Sequence, residues 1–440
     1  MKHNRDAPSR PTIWLDLSDL VDWQGEPTGI QRVVIEYTRR LASRPELLAR
    51  GCAFRPSTGT YETVDIQQAI AISAVNAPAD PTLQGSSGDR PSKARALIGQ
   101  LIHRAPRVAK AARSVRNRVL SDRVASTTPP SPATCIFAPD DHVVILGANW
   151  LIPGYADHLA ALQQQLSLRI THLFNDVIPT AHPQWAAAGA SPVVTPYLST
   201  MLMLSTTIIV ASQSTRHDID DLVERGVVGR NQTGRVRTLA HGCDVLHGDA
   251  TTAPPPSIDV ARPFIVSVGT IEVRKNHVVL YQAYREAARR GIELPQLYIV
   301  GRSGWLAEAT EHLISNDPVT NERIRIVRNV TDAEITWLYE HCLFTVYPSA
   351  FEGWGLPVAE SLGCGKICLT TDHASLPEVG GEAADYLSPY DTNAWVEALD
   401  HYANNPGART EQENNIRATF TSRTWDDATN DLVAILMENP

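Results

Sequence analysis

The chain has 440 residues, enough for two domains of ordinary size. Its 43% hydrophobic and 20% charged content is that of a globular protein. A formal net charge of −9 excludes a general nucleic-acid binder, which needs a dominant basic field.

The six cysteines are dispersed and form no CxxC pair. That argues against a zinc site or a disulfide framework and for a reducing compartment. The polar start of the chain lacks the apolar core of a signal peptide. Residues 201–211, the most apolar stretch elsewhere, are too few to span a bilayer. A cytoplasmic location is expected, extending to contact with the cytoplasmic face of the inner membrane.

Taken in chain order, Thr12 to Leu17 reads as a short buried strand, followed by a loop ending in Pro27-Thr28-Gly29. Ile30, Val33, Val34, Tyr37 and Leu41 then fall on one stripe of an amphipathic helix. Strand, glycine turn and helix form the opening unit of a doubly wound domain. A polar loop at Pro78 to Pro91 opens an insertion at about 82–132. Within it, the stretch 93–123 carries nine Lys and Arg against one acid, Asp122. It reads either as a solvated face or as a helix docking on an anionic membrane. Strand-like runs resume at His142 to Leu146, Leu168 to Phe174 and Thr207 to Ala211.

Thr251 to Pro256 is the clearest linker signal. A second strand–helix series follows it, with apolar runs at Phe264 to Val268, Gln296 to Val300, Ile324 to Val327, Leu343 to Tyr347 and Ile367 to Thr370. Such alternation predicts parallel sheets covered by helices, with ligands beyond the carboxyl ends of the strands. The expected division is an N-terminal Rossmann-like domain over 1–250, a second over 251–420, and a terminal helix over 421–440 packing back toward the first. Two such domains would share a cleft.

Two motifs carry chemistry. The run Ser349 to Glu360 follows a strand and contains Glu352, Gly353, Gly355, Leu356 and Pro357. The glycines and proline place Glu352 in a loop and Glu360 in the helix after it. Exposed amides at that helix start form a natural diphosphate cradle. Glu360 is suited to a ribose diol and Glu352 to sugar hydroxyls. The run Gly269-Thr270-Ile271-Glu272-Val273-Arg274-Lys275-Asn276 also enters a helix from a strand. Adjacent cations there suit the charge that builds on a departing nucleoside diphosphate. Asp218 and Asp220 form the one Asp-x-Asp spacing, expected on a solvated helix face, so no metal site is expected.

Glu352 and Glu360 match the E-x7-E pattern of retaining glycosyltransferase family 4, which the chain resembles through residues 12–40, 170–215 and 260–390. The resemblance implies the GT-B fold, two Rossmann-like α/β domains facing a shared cleft. It implies that Glu352 contacts the donor sugar and Glu360 the ribose, with backbone at Gly353, Gly355 and Leu356 facing the diphosphate. Lys275 matches the family's diphosphate lysine, beside Arg274, Gly269 and Thr270, where some members carry Arg at position 270. Gly301 reads as part of a Gly loop at the strand end Val300 to Trp305, at the cleft, and the segment Arg328 to Asp332, with Val330, resembles the family's base-reading segment.

In the first domain, Gly29 matches the loop near donor phosphate and acceptor. Asn175 and Asp176 match the segment that usually reads His-Asp. Asn cannot titrate, so Asn175 implies hydrogen bonding to sugar hydroxyls, with Asp176 positioning the acceptor or accepting its proton. No cofactor beyond the nucleotide diphosphate sugar is implied, and no metal. Asp16-Leu17-Ser18-Asp19 with Thr28 to Arg32 is similar to bacterial O-antigen and capsule transferases, several of which are mannosyltransferases, so the resemblance makes GDP-mannose the first guess for the donor. The expected reaction moves a hexosyl group to a hydroxyl of a growing, lipid-linked glycan. A GT-B epimerase or phosphorylase, or a non-catalytic nucleotide-sugar-binding partner of another transferase, remain the alternatives.

Overall fold

A computed structural model of the chain describes residues 11–21, 23, 29–75, 135–244 and 253–438. The insertion 82–132 with its basic stretch 93–123, Thr28 of the glycine turn, and Thr251 and Thr252 of the linker lie outside the described residues. Two sheets are present among the described residues. One has seven strands in the order β3-β2-β1-β4-β5-β6-β7, the other six in the order β10-β9-β8-β11-β12-β13. The chain divides into two units, Met1–Ile170 with Ala188–Leu204, and Thr171–Ala187 with Ser205–Pro440.

In the first unit, β1 (Thr12–Asp16) pairs in parallel with β2 (Leu48–Arg55) and β4 (His142–Ile145). The strand β3 (Thr60–Val64) pairs with β2 antiparallel. The helix Gly29–Ala42 buries Val33, Val34, Tyr37 and Leu41, the stripe that its spacing sets out. Asp16, at the carboxyl end of β1, accepts hydrogen bonds from the hydroxyls of Tyr155 (2.6 Å) and Tyr61 (3.1 Å).

The second unit takes β5 (Arg169–Phe174) from Thr171 onward, with β6 (Thr207–Val210) and β7 (Arg235–Thr238) in parallel register. It also holds the whole six-stranded sheet: β8 (Phe264–Val268), β9 (Gln296–Val300), β10 (Ile324–Val327), β11 (Thr345–Tyr347), β12 (Cys368–Thr371) and β13 (Asp385–Leu387). All the strand pairings in that sheet are parallel.

Its central strands β8 and β9 are buried on both faces, which explains their nearly continuous hydrophobic runs. Ile265, Leu297 and Ile299 face one core with the helix His277–Arg290. Phe264, Val266, Tyr298 and Val300 alternate to the other, with Val327 and Leu338. Each such side chain contributes about 1.5–3 kcal/mol on full burial. The consequence for function is positional, because every β-to-helix turn of this sheet opens at its carboxyl edge.

The helix Trp425–Met437 is set by a capping box between Thr424 and Asp427. Its start is tied to the segment after β7. Cys243 donates its amide to the Arg423 carbonyl at 2.7 Å, and Trp425 donates its amide to Asp244 at 2.9 Å. A Cβ on Gly242 would lie 2.4 Å from Trp425 backbone, so this contact requires glycine.

Candidate functional site

The site is built from turns at the carboxyl ends of β8, β9 and β11, joined by the turn after β5, all in the second unit. After β8 the chain turns at Gly269, whose φ of +144° is the region that favours glycine. The turn is held to the loop after β9: Gly269 donates to the Val300 carbonyl at 2.9 Å and Ile271 to the Arg302 carbonyl at 2.8 Å. Gly301 lies so close that a Cβ would sit 2.1 Å from the Gly269 carbonyl oxygen. Val273–Lys275 then form a single 3-10 turn, and Asn276 in the left-handed region (φ 54°) starts the helix His277–Arg290. The Asn276 side-chain Nδ2 donates to the carbonyls of Pro348 (3.2 Å) and Pro389 (2.8 Å), which orients the turn.

After β11 the loop runs from Pro348 to Gly355. Gly355 (φ +132°) leads into the helix Leu356–Gly363, with Pro357 in its first turn. Proline is tolerated there because that amide has no helical partner. Glu352 lies in the loop and Glu360 in the helix. The two motifs meet through backbone and side chain. Ala350 donates to the Arg274 carbonyl at 2.8 Å, and the Arg274 guanidinium donates to the Phe351 carbonyl at 3.0 Å.

Glu352 is the centre of this junction and only 6% exposed. Its Oε1 accepts from Lys275 Nζ at 2.5 Å, from Tyr347 Oη at 2.7 Å and from Ser349 Oγ at 2.7 Å. Its Oε2 accepts from Arg274. Lys275 also donates to Tyr347 Oη at 2.5 Å and sits over that ring. Arg274 forms a second ion pair, 2.7 Å, with Glu272, which is 3% exposed.

Burial opposes ionisation of Glu352, but Arg274 and Lys275, with hydrogen bonds from Lys275 and Ser349, outweigh it and hold its carboxyl down to about 2. Burial pushes Glu272 up, against the pull of Arg274 and Lys275. Burial and the neighbouring Arg274 push Lys275 down, while Glu352 and Glu272 resist. Burial also works against the Arg274 cation, but Glu352 and Glu272 prevail and its pKa is raised.

Asn175 and Asp176 come to the same junction. Gly353 packs on them so closely that a Cβ would meet the Asn175 carbonyl oxygen at 2.1 Å and Asp176 Cβ at 2.7 Å. Burial raises Asp176 above the ordinary carboxylate range, Arg274 opposing. Its Oδ1 accepts from the Ile178 amide at 3.1 Å. Asn175 Oδ1 lies 3.0 Å from Nε2 of His241, which is held neutral, since burial and Arg423 push it down to about 3. His182 packs its ring on Phe351, centroids 4.0 Å apart, with Nε2 3.0 Å from Asp218. Asp218 and Asp220 lie on the helix Gln213–Glu224.

Of the remaining expected residues, Glu360, Thr270, Arg328 and Val330 belong to the same unit as this core. Glu360 is half-buried and accepts from Tyr339 Oη at 3.0 Å. Thr270 faces Gly304, where a Cβ would lie 2.7 Å from Thr270 Cγ2. The Arg328 side chain is engaged with Ser303 Oγ (3.0 Å) and Glu311 (2.9 Å) rather than extended alone. Val330 is partly buried against the Phe264 core, before the capping box of Thr331 and Glu334. Gly29 belongs to the first unit and is the first residue of the helix Gly29–Ala42.

Sequence reasoning assigns nothing to Tyr347 and Ser349, although both belong to the anchor of Glu352. Their one sequence signal is position, at and just past the end of a strand that leads into the motif. Ser375 is missed as well. Its hydroxyl donates to the carbonyls of Glu352 (3.0 Å) and Trp354 (2.5 Å) from the other side of the loop.

This arrangement of two Rossmann-like parallel-sheet domains is the GT-B fold, shared across whole chains with solved glycosyltransferases. Sucrose-phosphate synthase from Thermosynechococcus elongatus aligns with a TM-score of 0.58 at 16% identity, covering 97% of this chain and 98% of that one. Alr3699/HepE of Anabaena, solved in complex with UDP and glucose, aligns with a TM-score of 0.59 at 15% identity, covering 98% and 100%.

Residues 251–419 match the family model of the glycosyl transferases group 1, so the chain carries a domain of that family. The serotype-specific mannosyltransferase WbdA of Escherichia coli is 27% identical over 252 residues, 54% of this chain and 31% of that protein. O-antigen chain mannosyltransferase B of Escherichia coli is 34% identical over 132 residues, 30% of this chain and 34% of that protein. The chain thus spans about a third of the length of these curated relatives. Among the described residues, no helix is long and apolar enough to cross a membrane.

Proposed function

We propose that this protein is a glycosyltransferase that moves a hexosyl group from a nucleotide diphosphate sugar to a hydroxyl of a growing glycan. The reading includes retention of anomeric configuration, no required metal, and a lipid-linked acceptor met at the cytoplasmic face of the inner membrane, with the stretch 93–123 as the membrane contact. GDP-mannose is the first donor candidate, because the matched relatives are described as mannosyltransferases. Donor binding is assigned to 251–420 and acceptor binding to 1–250.

The observation that carries the reading is the junction of the two motifs. Arg274 and Lys275 are hydrogen-bonded to the loop that leads into the helix at Leu356. A diphosphate lying on the amides of Gly355 and Leu356 would therefore meet fixed cations and a helix start together. In this reading Glu352 holds sugar hydroxyls, Glu360 the ribose, and the Arg328–Val330 segment the base. Gly269, Thr270 and Gly301 border the phosphates. Asn175 and Asp176 face the acceptor hydroxyl, with Asp176 as the group that positions it.

The test is GDP release from GDP-mannose with and without a mannan-type acceptor, with the product's anomeric configuration read by NMR and the rate compared with and without chelator. Acceptor-dependent GDP release with an α-linked product is expected. Isomerised donor would indicate an epimerase. Donor binding without turnover on any acceptor would indicate a non-catalytic partner.

A further inference from the structure

The charges at the junction do not suit a dianion as they stand. Arg274 and Lys275 supply two positive charges, and Glu272 and Glu352 two negative ones. Asp176 adds a further carboxylate close enough to Arg274 to feel its charge. A nucleotide diphosphate sugar brings two more negative charges, and its esterified phosphates do not titrate near neutral pH. Desolvating it against a cluster with no net positive charge lacks an electrostatic offset. Either the cations stay on their carboxylates and the diphosphate is unpaired, or one carboxylate gives up its charge.

The two buried glutamates differ in how firmly the protein holds that charge. Glu352 accepts from Lys275, Tyr347 and Ser349 on one oxygen and from Arg274 on the other. Glu272 is held by one contact, the ion pair of Arg274 with its buried Oε1 at 2.7 Å, and among the described residues that oxygen accepts no hydrogen bond of good geometry. Arg274 is the group the two carboxylates share.

Building on the nucleotide-sugar reading above, we propose that Glu272 takes up a proton when a nucleotide diphosphate sugar binds, releasing Arg274 to the diphosphate while Glu352 keeps its charge. The surroundings of Glu272 act in the required direction. Arg274 and Lys275 on its own turn favour its charge. Glu352 from the loop after β11 and Asp176 from the turn after β5 disfavour it, while the Tyr347 phenol of β11, kept neutral by burial, adds no charge. The loop after β9 brings Gly304 against its Cβ and carries Arg302, whose carbonyl is bonded to Ile271. Moving Arg274 toward the diphosphate weakens the main restraint on protonation, and the incoming negative charge adds to the push. Glu272 is thus a binding residue of the donor site that acts by changing charge.

The test is calorimetric titration of GDP-mannose, with UDP-glucose as the second probe, into the full chain. Buffers of different ionisation enthalpy are used between about pH 6.5 and 9, so that heats report protons. Uptake approaching about one proton per nucleotide sugar is expected, with the association constant falling by up to about tenfold per pH unit. Glu272→Gln should bind with no proton uptake and a flat pH profile, and Asp176→Asn should retain the uptake.

Binding by the native protein with no protons exchanged would overturn this proposal and leave the nucleotide-sugar reading standing. Uptake that survives Glu272→Gln and disappears in Asp176→Asn would overturn it by moving the proton to Asp176. Failure of both probes to bind removes the donor-site reading and the proposal with it. Should Glu272→Gln fail to fold, the proton count of the native chain and the profile of Glu272→Asp still decide.

Discussion

At the scale of single residues, the two glutamates of the E-x7-E pattern are physically unlike. Glu352 is buried and bound by two cations and two hydroxyls, whereas Glu360 is half-buried beside Tyr339. Removing one charge from a buried pair leaves the others uncompensated. Glu352→Gln should therefore cost about 3 kcal/mol or more in urea unfolding, while Glu360→Gln should cost under about 1 kcal/mol. Equal losses would mean that the cluster does not hold the loop.

Two histidines give a pH signature. Burial, with Arg423 for His241 and Lys275 for His277, pushes both from the ordinary 6.5 down to about 3. A folded pKa below the unfolded one means the unfolded chain binds the extra proton. Their contribution is complete above pH 6.5 and is lost as pH falls from there toward 3. Each should steepen the fall in stability by up to about 1.4 kcal/mol per pH unit in that window. Chemical unfolding from pH 7.5 to 5 should show a slope that His277→Gln reduces by about one proton. An unchanged slope would place His277 in contact with water.

At the scale of elements, the site depends on where turns require glycine. Gly355 has φ +132°, and a Cβ there would meet Leu376 Cδ2 at 2.7 Å. Gly355→Ala should lose about 1–3 kcal/mol and weaken donor binding, because it moves the start of the helix Leu356–Gly363. Among the described residues, a Cβ on Gly29 would meet no atom within 4 Å. Gly29→Ala should leave thermal stability unchanged or raise it slightly. An unchanged stability in Gly355→Ala would contradict the geometry assigned to Gly355, and a comparable loss in Gly29→Ala would contradict the open surroundings of Gly29.

The elements also show what is legible in the sequence. The apolar runs of β8 and β9 give their bounds directly, since both faces of those strands are buried. The strands β2, β3, β7 and β13 escape such a reading. Leu48–Arg55 carries two arginines, Arg235–Thr238 alternates Arg with half-buried neighbours, and β3, β7 and β13 lie at sheet edges where one side needs no apolar cover. Placing Glu352 in a loop and Glu360 in a helix follows from glycine and proline alone. What the sequence could not contain is the commitment of Arg274 and Lys275 to Glu352. Adjacent cations on a turn look available until the partner loop, 77 residues away in the chain, is folded against them.

At the scale of the whole molecule, the fold brings its chemistry to the carboxyl edges of parallel strands, and the second unit holds the glutamate junction entire. The segment that usually carries His-Asp is part of that unit through the contact of Gly353 with Asn175. Binding of a nucleotide sugar should therefore stabilise the unit as a whole. At about a hundred times its dissociation constant the true donor should add ~2.7 kcal/mol. In a thermal-shift series Glu360→Ala should erase that gain if Glu360 holds the ribose. A shift that persists in the variant would remove Glu360 from the donor site.

The most direct measurement is a crystal structure of the chain with GDP bound. The account predicts the diphosphate on the amides of Gly355 and Leu356, within hydrogen-bond reach of Lys275 Nζ and the Arg274 guanidinium. A diphosphate bound away from both segments, with the Glu352 junction untouched, would contradict it.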